Sequence, residues 1–397
     1  MQLVFNFVVD RMVRDKIYPA MAQWTAEPYT QAWREFGNHW PFTTPMRIQE
    51  YCNQHGMPIC TFGIEDDFPA DALYPVCIGF FDFSIDYFEL LGTRVREKVQ
   101  QGLLRVLFCY HEGDNPRTIK GRLDTLAKQH SLPANCYIFV SANTAAKNLK
   151  NFVYFNDFEL WYWQRNREVA PVDAHLGPRA KDFTALVRLH KSWRGAVMAD
   201  MTRNKLLDNS YWSYGDVDKS LPLDDNPIEV DMISRLRWDL EKFLSNAPYQ
   251  CDSLTSEQHN DHSLIVAEHF DNSYCNIAIE TQFDLDQSGG TILTEKTFKP
   301  IKHGQLFVIA GPVGSLAELR RLGYRTFDHV FDNSYDTEPN HTRRWEKLFD
   351  LLKTIKDNLP DIYCQCHSDI IHNQQLFLNN KEDRLNNLIK DIHEQYN

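Results

Sequence analysis

Apolar positions fall into short continuous runs and longer periodic stretches that alternate along the chain. Leu103 to Tyr110 (Leu-Leu-Arg-Val-Leu-Phe-Cys-Tyr) is short and nearly unbroken, the pattern of a strand covered on both faces. His111-Glu112-Gly113-Asp114-Asn115-Pro116 then turns the chain, and Arg117 to Gln129 sets Ile119, Leu123, Leu126 and Ala127 at helical spacing. Pro133 stops that helix ahead of a second apolar run, Cys136 to Val140, which completes a strand, helix, strand unit.

The alternation resumes further on. Phe183 to Leu189 predicts a strand and Trp193 to Leu206 a helix, while Asn276 to Glu280 and Gln305 to Ala310 predict two more strands. Strands that alternate with helices predict a parallel sheet, so the fold class is α/β. Turn-forming residues between Asn166 and Pro178, among them Pro171, Gly177 and Pro178, mark a boundary. From Arg343 onward Trp345, Leu348, Leu351, Leu352 and Ile355 keep helical spacing, and Leu385, Leu388, Ile389 and Ile392 repeat it. The expected organisation is an α/β domain over residues 1-170, a second over 175-345 and a helical tail over 346-397. No solenoid period and no low-complexity segment interrupts this plan.

Composition narrows the class. The 397 residues are 43% hydrophobic and 24% charged, ordinary globular usage that excludes disorder, collagen repeats and coiled coil. Lys and Arg number 42 against 54 Asp and Glu, a formal charge of -12, which disfavours a broad basic surface for nucleic acid. No run reaches the length of apolar residues that spans a bilayer, and the start, Met1 to Asp10, lacks the cationic and small-residue features of an export signal. Nine cysteines spread thinly from Cys52 to Cys366 fit reduced thiols, so the expected location is cytoplasmic. Aromatics crowd the first half, as in Trp161-Tyr162-Trp163 and Phe80 to Phe83; core is the expectation, although such faces also stack on sugars.

The stretch Thr291 to Gly311 carries most of the chemistry. Thr294 precedes Glu295-Lys296 and an apolar-periodic segment, so it would cap a helix whose free N-H groups favour an anion. Lys296 would add a point charge, and Glu295 could accept hydrogen bonds from ribose hydroxyls. Gly304 would end the helix, Gln305 to Ala310 would be the next parallel strand, and Gly311-Pro312 would turn at its carboxyl end, where open α/β sheets place ligands. The alternative is a capped surface helix with Glu295 and Lys296 in water. Gly311 to Ser315 lacks the Gly-Lys-Ser/Thr of a P-loop, no Gly-x-Gly-x-x-Gly opens the first unit, and Gly-x-Ser-x-Gly is absent.

Ile277-Ala278-Ile279-Glu280, Leu293-Thr294-Glu295-Lys296 and the strand closing on Gly311 together resemble the donor-site signature of the α-1,3-fucosyltransferase family. A second match is Phe183 to Arg188 followed by Lys191-Ser192-Trp193-Arg194, which resembles that family's strand, turn and helix-opening Arg. The match covers about Phe183 to Phe327, with a long unmatched insertion; where the family usually has an aromatic residue, Glu and Asn, this chain has Ile279-Glu280-Thr281. The resemblance implies a GT-B fold of two Rossmann-like domains and an inverting, metal-independent glycosyltransferase. It implies a nucleotide-sugar donor, a GDP-sugar such as GDP-fucose being favoured, and a glycan or lipid-linked saccharide acceptor. It also implies Arg194 and Lys296 as diphosphate ligands, Glu280 and Glu295 near the nucleoside, and Arg188, Lys191 and Thr294 in the same donor site.

Such a reaction needs a carboxylate to take the acceptor's proton. Glu112, just beyond the Leu103 to Tyr110 strand, is the expected base, with Asp114 and Asp82 as rivals and His111 as an assistant. No cofactor is required and no metal site is assigned. Asp216-Val217-Asp218 and Asp284-Leu285-Asp286 resemble metal-holding pairs but sit in loop sequence, and Cys364-Gln365-Cys366-His367 with His372 lacks a second half at zinc spacing. Two other functions stay open. One is glycosylation of modified DNA bases, using Arg11, Arg14, Lys16, Arg94, Arg96 and Lys98; the other is glycan binding without turnover.

Overall fold

The apolar runs become parallel strands, and the computed structural model describes residues 5-9, 48, 51-52, 59-78, 81-110, 112-160, 178-215, 227-251, 265-285 and 289-395. The chain forms two units. Unit 1 comprises Met1–Asp157, Gln287–Ile292 and Lys381–Asn397; unit 2 comprises Phe158–Asp286 and Leu293–Asn380. The boundary residues 166-177 anticipated from sequence lie outside the described residues.

Unit 1 holds six strands: β1 (Phe5–Val9), β2 (Ile59–Gly63), β3 (Ala72–Ile78), β4 (Leu104–Tyr110), β5 (Tyr137–Ser141) and β6 (Phe152–Tyr154). They run parallel in the order β2-β1-β3-β4-β5-β6. Helix α1 (Thr93–Gln100) precedes β4, and α2 (Pro116–Gln129) follows it. The start of α2 is set locally: the Asn115 side chain accepts from Arg117 N at 3.0 Å, and Pro116 takes a first-turn position where its missing N-H costs nothing. Ile119, Leu123 and Leu126 then bury one face against the aromatic core of Phe81, Phe88, Phe108, Tyr137 and Phe139. Phe83 stands out of that core at 42% exposure, and Trp161 to Trp163 lie outside the described residues.

Two later segments return to unit 1. Residues 289-292 lie on the loops after β4 and β5, with Thr144 N donating to Thr291 O at 2.9 Å and Thr291 N to Thr144 Oγ1 at 2.8 Å. Gly290 fits only because it lacks a Cβ, which would come within 2.6 Å of Ala145 N and closer still to Asn143 Oδ1.

Unit 2 repeats the plan with β7 (Lys181–Val187), β8 (Ser210–Tyr214), β9 (Ser273–Ile279) and β10 (Leu306–Ala310), all parallel in the order β10-β9-β7-β8. Every residue of β9 and β10 is buried, as a strand covered on both faces requires. The crossovers run through α3 (Ser192–Arg203), α4 (Pro227–Leu244) and α5 (Ala267–Asp271), then through α6 (Glu295–Lys302). After β10 come α7 (Ser315–Arg321), α8 (His341–Lys356), α9 (Leu359–Gln365) and α10 (His367–Asn379), and the last helix, α11 (Lys381–Glu394), buries Leu385, Leu388, Ile389 and Ile392 in unit 1. The helices beyond residue 346 therefore divide between the two units.

Each sheet starts with one strand, adds the second on one side and the third on the other. That is a doubly wound, Rossmann-like order, and it creates a crevice at the carboxyl ends of the first and third strands where the winding reverses. In unit 2 those strands are β7 and β9. Among the described residues no helix is long and apolar enough to cross a membrane.

Candidate functional site

The winding reversal in unit 2 gathers most of the residues singled out from sequence. β7 ends at Val187 and releases Arg188, Leu189, His190 and Lys191 before α3 begins; β9 ends at Ile279 and releases Glu280 and Thr281. Thr294 caps α6 as the sequence predicts, its side chain accepting from Lys296 N.

Glu280 ties these pieces together. Its carboxylate is fully buried and accepts from Thr294 N at 3.1 Å, Thr297 Oγ1 at 2.7 Å and, on the other oxygen, Thr294 Oγ1 at 2.6 Å. Three donors inside the protein therefore hold both oxygens, so Glu280 fixes the start of α6. Gly311, after β10, makes this possible: a Cβ there would come within 3.2 Å of Glu280 Cβ. Thr297 was not singled out from sequence, although its position three residues after the cap puts it on the same helical face.

Arg194 braces the same strand end from the other side. It is 4% exposed and donates from Nε and Nη2 to the Glu280 carbonyl at 3.0 and 2.9 Å, and from Nη1 to the Leu189 carbonyl at 3.3 Å. Of a guanidinium's five N-H donors, those three bonds leave two. Burial pushes its pKa down while Glu280 and Glu295 oppose the shift through their charges. Lys191 Nζ donates to Thr281 O at 2.9 Å, and Lys296 Nζ reaches Glu295 Oε1 at 2.8 Å and Thr294 Oγ1 at 3.3 Å. Glu295 is 6% exposed. The cluster thus sets Arg188, Lys191, Arg194 and Lys296 against Glu280 and Glu295, a local excess of two positive charges in a chain whose net charge is -12. A buried cation whose hydrogen bonds go to carbonyls, beside a helix N-terminus, is a field that stabilises an anion.

Other candidate regions differ. The loop from Gly311 to Gly314 also leads to a helix start, that of α7, but Asp336 already supplies the anion there, accepting from Leu316 N at 2.9 Å and Ala317 N at 3.0 Å. Glu112 lies two residues beyond β4 in unit 1 and is half-buried; its neighbour Asp114 accepts from the Tyr110 hydroxyl. Asp82 accepts from Ser84 N at 2.7 Å and Ser84 Oγ at 2.6 Å, which holds its carboxyl below the usual range. His111, Asp286 and residues 216-218 lie outside the described residues.

Among the described residues no group of three His, Cys, Asp or Glu side chains is placed to hold a metal. Cys366 is buried at the start of α10, Cys364 is exposed, and His372 pairs with the Gly323 carbonyl at 3.0 Å. Of the cations that could serve a DNA groove, Arg94 pairs with Glu65 and Arg96 with Glu89, while Lys98 sits over the Phe68 ring at 5.6 Å; Arg11, Arg14 and Lys16 lie outside the described residues. A groove of about 420 Å³ between α3, α4 and α8 includes Asp200, Arg203, Arg235 and Trp345 in its lining. Its charges are internally paired, Arg203 with Asp200 and Arg235 with Glu346, and it lies on a helical flank away from the strand ends.

No protein-family model matches the chain, and no curated protein matches it. Among solved structures it is similar to the crystal structure of an alpha,alpha-trehalose-phosphate synthase (UDP-forming) from Burkholderia vietnamiensis, at 12% identity over 99% of this chain and 100% of that one, with a TM-score of 0.38.

Proposed function

We propose that this protein is a glycosyltransferase whose nucleotide-sugar donor seats its diphosphate at the carboxyl ends of β7 and β9. The observation that carries this reading is Arg194, a buried guanidinium hydrogen-bonded to carbonyls beside Lys191, Lys296 and the start of α6. Breaking a sugar-phosphate bond builds negative charge on the departing diphosphate. Cations already fixed in place stabilise that charge without reorganising, as electrostatic catalysis requires. Thr294 and Glu280 hold α6 so that Lys296 can meet the phosphate, and Glu295 is assigned to the nucleoside. Arg188 adds charge to the same site.

The resemblance of the Thr294-Glu295-Lys296 stretch to fucosyltransferase donor sites favours a GDP-sugar, fucosyl or hexosyl, and an inverting, metal-independent transfer to a glycan or lipid-linked saccharide. Glu112, at the carboxyl end of β4, is the carboxylate assigned to take the acceptor's proton.

Calorimetry and thermal-shift titration with GDP, UDP, CDP and ADP, with and without EDTA, test the donor site. A ligand that binds only the folded state raises its apparent stability by mass action. One diphosphate is expected to raise the melting temperature equally with and without EDTA. Lys296→Ala is expected to weaken it by about tenfold, roughly 1.4 kcal/mol. Failure of every diphosphate to bind the wild-type protein would remove the reading. Once an acceptor is known, unchanged turnover in Glu112→Gln would remove the base assignment.

A further inference from the structure

We propose that the groove between α3, α4 and α8 binds a short neutral saccharide, at a site separate from the strand ends of β7 and β9. Such a site goes beyond the donor reading and stands without it. All its lining residues belong to unit 2, and its volume of about 420 Å³ falls in the range of small-molecule sites, roughly 300–1,000 Å³. One wall is a single stripe of α8: Thr342, Trp345, Glu346, Phe349, Asp350 and Lys353 recur three and four positions apart and so share a helical face. The end of α3 contributes Asp200, Arg203 and Asn204, and α4 contributes Arg235 and Leu236.

Asp200 fixes the base of the groove. It is 3% exposed and accepts from Trp345 Nε1 at 2.8 Å on Oδ2, and from Asn204 Nδ2 at 2.8 Å and the Arg203 guanidinium on Oδ1. The indole edge, the amide and the guanidinium are thereby held by one buried carboxylate. Phe349 stacks on Trp345 at 5.2 Å, and the two rings with Leu236 give the groove its apolar part. Among the lining residues the charges balance, Asp200, Glu346 and Asp350 against Arg203, Arg235 and Lys353. Each cation is already paired: Arg203 with Asp200, Arg235 with Glu346 at 3.0 Å and Lys353 with Asp350 at 2.9 Å.

This balance selects the class of ligand. An anion or a cation meets as many like charges as opposite ones and gains little net field, and a zwitterion would have to open ion pairs already made. A sugar hydroxyl both donates and accepts, so it can use what the pairs leave over: a guanidinium has five N-H donors, and each carboxylate oxygen accepts more than one bond. The C-H face of the sugar ring then covers the apolar part of the groove. Trp238 lies three residues beyond Arg235 on α4, hence beside it on the helix, and is 70% exposed with Lys242 Nζ 5.1 Å from its ring centre. It extends the rim with an aromatic face suited to the same amphipathic ligand.

Saturation-transfer NMR and calorimetry of the full chain with maltose, lactose and cellobiose test the site, with glucuronate and glucosamine as the anionic and cationic comparators. At least one neutral disaccharide is expected to bind with a Kd of about 10 mM or tighter, and neither charged sugar to bind more tightly than it. Thr342→Phe, which fills the groove from α8, and the double variant Arg235→Ala, Glu346→Ala are each expected to weaken it by about tenfold, and Trp238→Ala by about threefold. The Arg235–Glu346 pair is exposed and contributes little to stability, so the double variant is expected to melt with wild type. Lys296→Ala and saturating GDP or UDP are expected to leave the saccharide's affinity unchanged. Failure of all three disaccharides to bind wild type, tighter binding of a charged sugar, or unchanged affinity in both groove variants overturns the site. Competition by a diphosphate would place the sugar at the strand ends and overturn it too, whereas the donor reading is decided separately by the diphosphate titrations.

Discussion

Glu280→Ala is expected to loosen the start of α6 and the end of β9 by about 3–5 kcal/mol and to abolish nucleoside diphosphate binding. The cost follows from what the carboxylate holds: Thr294 N, Thr294 Oγ1 and Thr297 Oγ1 would all lose their buried acceptor, and Arg194 would lose a nearby counter-charge. Leaving buried donors without partners and a buried charge uncompensated is among the most destabilising of single changes. Hydrogen exchange measured across β9 and α6 reads the local effect without assuming that the two units unfold together. Glu280→Gln keeps one acceptor oxygen and should fall between wild type and Ala. A loss below about 1 kcal/mol in Glu280→Ala would show that the three donors find other partners and that Glu280 is not the brace.

The second large effect is expected from Gly215→Ala, at about 3 kcal/mol or more of destabilisation. Gly215 follows β8 and donates its N-H to the Val187 carbonyl at 2.9 Å, which brings its Cα against the main chain at Arg188. A Cβ would lie 2.8 Å from the Arg188 carbonyl carbon, with the oxygen closer still. Both partners are backbone, so no side chain can swing aside. The ends of β7 and β8 must separate, adding a broken ladder bond to the usual overpacking cost of about 1–3 kcal/mol. Arg188 opens the loop that carries His190 and Lys191, so diphosphate affinity should fall with stability. Gly121→Ala on α2 is the matched control: nothing lies within 4 Å of its Cβ position, and alanine there should be neutral or stabilise by up to about 1 kcal/mol. Equal melting temperatures for Gly215→Ala and wild type would contradict the close approach.

Local chemistry explains which elements could be read from the chain. The predicted strand, helix and strand between Leu103 and Val140 correspond to β4, α2 and β5 within a residue or so at most ends, because unbroken apolar runs, a Pro at the helix start and an Asx cap all act over a few residues. The start of α6 at Thr294 was legible for the same reason. β8 was not. Its sequence Ser-Tyr-Trp-Ser-Tyr is mostly half-buried at the sheet edge and carries no apolar run to mark it. The last helix announced an apolar face through Leu385, Leu388, Ile389 and Ile392, but periodicity says only that something covers that face; its place in unit 1 depends on a return of the chain.

The site divides in the same way. Capping and periodicity are set by neighbours along the chain, so the order of residues was enough to cap a helix with Thr294, to put Glu295 and Lys296 in its first turn and to carry α/β alternation through both halves. Folding in three dimensions was needed to turn Glu280 inward to three hydroxyl and amide donors, to bring Arg194 to the carbonyl of that same residue from 86 positions away, and to set Tyr214 against His190 across 24. A side chain's titration state and hydrogen-bond partners are set by what surrounds it in space, and in a doubly wound sheet the strands that come together where the winding reverses are not consecutive in the chain.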